Sequence, residues 1–170
     1  MKTASLAACA ALLVTVAANA QSRPDFSGTW IPRAPDSSAP RGRTSSMSAG
    51  GGRAVLGGGG PVELRLTQTA TTLTIERSLG SVVQKFAHTF DGAGNVNVNG
   101  RTTLKTKSWW DGATLVTEGT QSVTMASGDV ITADLREVRS LLANGELVLE
   151  TTRTTGGRST SSKQMYTKKQ

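Results

Sequence analysis

The sequence predicts an all-β chain folded as an antiparallel up-and-down barrel of about eight to ten strands, and three observations predict it. Through most of the chain after residue 61, Leu, Val and Ile alternate with Thr, Ser and charged residues in a period of two, the pattern of half-buried strands. Turn signals such as Asp91-Gly92-Ala93-Gly94-Asn95, Asp111-Gly112 and Asn144-Gly145 separate these runs at short intervals. No stretch reads convincingly as a helix. Residues 131–142 have the Leu, Arg and Glu content of one, but the Asn144-Gly145 turn behind them and the surrounding meander favour a strand. Strands joined by hairpins are antiparallel, and a long meander has two exposed edges unless it closes into a barrel.

Residues 1–20 are set apart first. Lys2, the apolar run from Leu6 to Val16 and the small residues Ala18-Asn19-Ala20 have the order of a secretory signal peptide cleaved after Ala20. A secreted or periplasmic protein is expected. The apolar run is roughly eleven residues against about twenty needed to span a bilayer, and no second run follows, so no transmembrane segment is predicted. Leu6-Ala7-Ala8-Cys9 has the residue types of a lipid-attachment site, but it lies too early, ahead of most of the apolar run. Cys9 is the only cysteine, so residues 21–170 are expected to fold as one domain without disulfides or thiolate chemistry.

Residues 26–31 read as the first strand, stopped by Pro32 and Pro35. Residues 34–60 are Ser, Gly, Ala and Arg, which cannot build a core face, and a flexible loop is predicted there. With Arg33, Arg41, Arg43 and Arg53 that segment is basic. Val62, Leu64 and Leu66 then alternate with Glu63, Arg65 and Thr67, and Thr69-Ala70-Thr71 turns into a strand carrying Leu73 and Ile75. Leu79-Gly80 turns into residues 82–90. Residues 91–95 are read as a turn, which residues 97–100 extend. Further strands are predicted at 102–110, 114–124, 131–142, 146–154 and 159–168, about nine in all.

Without Lys2 the chain has eighteen Lys and Arg against twelve Asp and Glu, a net charge of +6. That balance favours anionic partners such as acidic polysaccharide or lipid head groups. The charges interleave along the strands, however, and read mostly as a solvated exterior; nucleic acid is not expected as a partner. Gly52 to Gly57 has the outer spacing of a phosphate loop but lacks the Lys and Ser or Thr that such a loop needs.

The chain resembles a known family at several places in order. Asp25-Phe26-Ser27-Gly28-Thr29-Trp30 is similar to the opening phrase of exported bacterial lipocalin-like (calycin-type) small β-barrel proteins. Trp110-Asp111-Gly112-Ala113-Thr114-Leu115-Val116 and Asn144-Gly145-Glu146-Leu147-Val148-Leu149-Glu150 resemble its hairpins, and Tyr166-Thr167-Lys168 its last strand. The 34–60 segment is longer and richer in glycine than the family pattern. The resemblance implies an interior that takes a small apolar or amphipathic ligand.

Candidate site residues follow from faces. Gly28 and Trp30 are expected to close one end of the barrel, with a last-strand cation such as Lys163 or Lys168 over the indole. Phe86, His88 and Phe90 share a strand face, an imidazole between two phenyl rings, and with Leu64, Leu66, Ile75, Trp110 and Leu115 they are the predicted ligand-binding lining. The neighbouring Trp109 must face the other way, with Lys105 and Lys107. One histidine and no mature cysteine give no metal site and no cofactor is expected. The acids read as exposed strand positions and no nucleophile elbow or triad is visible, so no enzyme is predicted. The leading expectation is therefore a non-catalytic binding barrel; the alternative is an interaction module whose basic surface and loop hold anionic polymers.

Overall fold

A computed structural model describes residues 23–33 and 62–170. The signal-peptide and loop predictions lie outside these residues. The described chain forms ten strands and no helix: β1 (Gly28–Pro32), β2 (Leu64–Gln68), β3 (Thr72–Leu79), β4 (Val82–Thr89), β5 (Gly94–Asn99), β6 (Thr102–Asp111), β7 (Thr114–Thr124), β8 (Val130–Leu141), β9 (Leu147–Thr155) and β10 (Arg158–Lys168). They form one antiparallel sheet in the order β4-β3-β2-β1-β10-β9-β8-β7-β6-β5, curled into a nearly closed barrel. Residues 130–141, with their helix-compatible composition, are strand. Residues 94–99 correct the sequence reading: they are a strand where a turn and its extension were expected.

Hairpins set the register. Pairing of Trp110 with Leu115 and of Leu115 with Arg139 puts these three side chains on the inner face, and the period of two carries that face along each strand. Gly112 and Gly145 occupy two of the tight turns with φ of 57° and 81°, backbone that a β-carbon disfavours. β1 is also paired with β10, Trp30 opposite Lys168, so the first and last strands lie side by side.

The inner face has two zones. Toward the end where β2 turns into β3 and β6 into β7, Phe26, Trp30, Leu66, Leu73, Leu115, Leu147 and Tyr166 form the apolar core. Farther along the same strands polar side chains occupy the interior. β7 passes very close to β6 at Gly119. A methyl group there would fall on the Lys105 carbonyl and the Thr106 Cα, so only glycine fits.

Candidate functional site

The opening residues form a plug across the apolar end. Asp25 accepts a hydrogen bond from the Ser27 amide at 2.8 Å, and bonding to Ser27 holds its carboxyl below the usual carboxylate range. The Gln68 side chain accepts from the Phe26 amide and donates to the Pro24 carbonyl, both at 3.0 Å. The Ser27 hydroxyl accepts from the Gln68 amide, also at 3.0 Å. This clasp seats Phe26, whose carbonyl accepts from the Trp30 indole at 2.8 Å.

Above Trp30 the Lys168 ammonium lies 5.7 Å from the ring centroid, and its stem crosses Gly28, where a β-carbon would strike it. Gly28 thus leaves the space in which the lysine reaches the indole. Lys163 has no part in this: it is on the outer face, 2.9 Å from Glu150. Trp110 stacks on Phe26 at 5.6 Å and meets the edge of Phe90 at 5.4 Å. Trp109 faces outward with the Lys107 ammonium 5.6 Å over its ring.

Most of the predicted lining is therefore occupied with itself. Leu64, Leu66 and Leu115 belong to the apolar core, and Phe90 and Trp110 to the plug. Only Ile75, Phe86 and His88 border the interior cavity, together with Leu104 and Leu135. That cavity is about 20 Å³, room for one water and not for a chain molecule.

Its polar wall is what the sequence reading missed. Arg77 from β3, Glu137 and Arg139 from β8, Arg153 from β9 and Gln121 from β7 all border the cavity. Glu137 and Arg139 are 4% and 1% exposed, so at these two positions the expected exterior placing of the charges is corrected. Arg139 Nη2 donates to Glu137 at 2.5 Å, and Arg77 Nη2 reaches the other carboxylate oxygen at 3.4 Å from the opposite wall. Burial alone would push Glu137 up, but Arg139 and Arg77 outweigh it and hold the carboxyl down at about 2. One carboxylate therefore faces three guanidiniums. Arg139 Nη1, Arg77 Nε and Gln121 Oε1 are buried without a hydrogen-bond partner among the described residues.

His88 stands beside this cluster and bonds through Nδ1 to Thr106 Oγ1 at 3.3 Å. Desolvation and then the charge of Arg139 push its pKa down to about 4, so at neutral pH it carries no charge. Ser108 and Thr117 satisfy each other at 2.8 Å nearby. The arrangement is a buried, net cationic pocket in a β-barrel. It can hold an anion by charge-assisted hydrogen bonds.

Fold and site define a class, a small up-and-down barrel with a polar, positively charged interior. No protein-family model and no curated protein matches the chain by sequence. Among solved structures, it is similar in fold to one named REP1-NXSQ fatty acid transporter, with a TM-score of 0.50 and 13% identity over 85% of this chain and 96% of that one.

Proposed function

We propose that this chain is a non-catalytic, exported barrel that binds a small, partly apolar acid, with the acid group held by Arg139, Arg77 and Arg153. The observation that carries this reading is the Arg139 guanidinium, which borders the cavity with Nη1 unsatisfied. A buried donor without a partner is costly, as is the positive charge by which Arg77 and Arg139 together exceed Glu137, and a bound anion offsets both. A carboxylate matches the planar donors of arginine in shape as well as charge. The name of the solved neighbour, a fatty acid transporter, agrees with an acidic amphipathic ligand. Export rests on the leader-like residues 1–20, with their apolar run and small-residue end.

The alternative, an anionic polymer on the outer surface, has less support. Five described cations, Arg33, Lys85, Arg136, Lys163 and Lys169, are already within 2.7–3.6 Å of Glu146, Glu76, Glu118, Glu150 and Glu63.

Displacement of cis-parinaric acid tests the proposal. Decanoate is expected to compete at least tenfold better than 1-decanol, and Arg139→Met to remove that preference. Equal competition by acid and alcohol, or no binding of either, would sink it. Native mass spectrometry of protein purified from its own source identifies the ligand directly.

A further inference from the structure

Nine of the ten strand junctions are backbone ladders; the tenth, between β4 and β5, is not. Three asparagines spaced two apart on β5 close it with their side chains. The Asn97 amide accepts from the Ala87 N–H at 2.7 Å and donates to the Ala87 carbonyl at 2.9 Å, as a paired backbone residue would. Asn99 does the same for Lys85, at 3.2 and 2.9 Å. Asn95 accepts from the Thr89 amide at 3.3 Å and donates to its hydroxyl at 3.2 Å. The alternation Asn95-Val96-Asn97-Val98-Asn99 therefore builds a ladder of amides. The intervening Val96 and Val98 point outward, each 65% exposed, and pin nothing.

The cavity lies directly behind this seam. Phe86 and His88 on β4 and Leu104 on β6 border it, and β5 lies between those two strands. The His88–Thr106 bond spans from β4 to β6 on the inner side. Widening any other junction ruptures a backbone ladder; widening this one breaks side-chain amide bonds at half-exposed residues and, inside, the imidazole–hydroxyl contact and, at the plug end, the Phe90–Trp110 ring contact.

We propose that the β4–β5 seam is a latch, through which the ligand reaches the interior and along which the barrel widens to take its apolar part. The inference rests on the interior-ligand reading for its purpose, and on the asparagine geometry for its mechanics. It resolves a conflict of sizes: the cavity of about 20 Å³ has room for one water, and a ligand needs space that the barrel gains most easily here.

Residue-resolved amide exchange and stopped-flow binding of cis-parinaric acid test it separately. In the unaltered protein the Ala87 and Lys85 amides are expected to exchange at least tenfold faster than those of the β7–β8 ladder. Asn97→Ala should accelerate Ala87 a further tenfold and leave β7–β8 unchanged. The same variant should raise the association and dissociation rates threefold or more, with a smaller change in affinity. Val98→Thr on the same strand should change neither. Asn97→Asp, which keeps the acceptor and loses the donor, should fall between, and it decides the matter if Asn97→Ala does not fold. Seam amides as protected as the β7–β8 ladder, or binding rates unaltered by Asn97→Ala, overturn the latch. If cis-parinaric acid does not bind at all, the interior-ligand reading fails and the exchange rates alone decide the seam.

Discussion

Glu137 takes a hydrogen bond from Arg139, two residues along the same strand, and a second at 3.4 Å from Arg77, sixty residues away in sequence and across the barrel. The carboxylate is thus a strut between β3 and β8, which share no ladder.

Removing that strut leaves three guanidiniums facing one another. Glu137→Gln is expected to cost about 3–5 kcal/mol in urea unfolding, the range for a buried charge stripped of its partner. Added sulfate should stabilise the variant more than the parent, because an anion then replaces the lost carboxylate. A variant as stable as the parent, with the same response to sulfate, would show that the pair is not coupled to the fold.

His88 is the only histidine, so its proton NMR titration can be read without assignment. Its midpoint should lie near 4, against 6.5 for an unconstrained imidazole. Between those values the unfolded chain binds a proton that the folded one refuses, so stability falls as the pH falls through that window. The loss is at most on the order of 3 kcal/mol. Glu137 adds a second loss below, from about 4.5 toward 2, where the unfolded carboxyl is protonated and the folded one is not. Urea midpoints between pH 7.5 and 4.5 should therefore decline, and His88→Gln should flatten the decline.

Two glycines separate crowding from backbone strain. Gly119→Ala must push β7 off β6 and is expected to cost about 3 kcal/mol. Gly128→Ala meets open space at a φ of 92° and should cost only about 1–2 kcal/mol. Thermal unfolding of both variants gives the comparison. Equal losses would mean that β6 yields at Gly119 with little resistance.

Gln68 ties the opening residues to the barrel. Gln68→Leu removes the partners of the Phe26 amide and the Pro24 carbonyl, at about 1–3 kcal/mol. Near-ultraviolet circular dichroism should fall as the Phe26–Trp110 stack loosens, and limited proteolysis should open near Arg23. An unchanged spectrum would place the anchoring of Phe26 in its apolar contacts.

The strands were legible where one face is plainly apolar: Leu64 and Leu66, or Leu147 and Leu149, announce their side. β5 was not, because Asn has low strand propensity and is the usual residue of turns; here its amides take over the pairing that backbone would provide. The charged interior was hidden by a rule of thumb that sends Arg and Glu outward. Parity held the missing signal, since Glu137 and Arg139 share a face with Leu135, and Arg77 with Leu73 and Ile75. Period two fixes which residues point inward; it does not report that three cations and one anion meet there.

The pairing of Trp30 with Lys168 also bears on synthesis. The strand that closes the barrel on β1 is the last of the ten to be made, so contacts at this junction bridge nearly the whole barrel in sequence. Folding that waits for such contacts is slow. Until residues 158–168 emerge, β1 and β9 are open edges able to pair with other chains, and this protein is most exposed to aggregation just before its final strand docks.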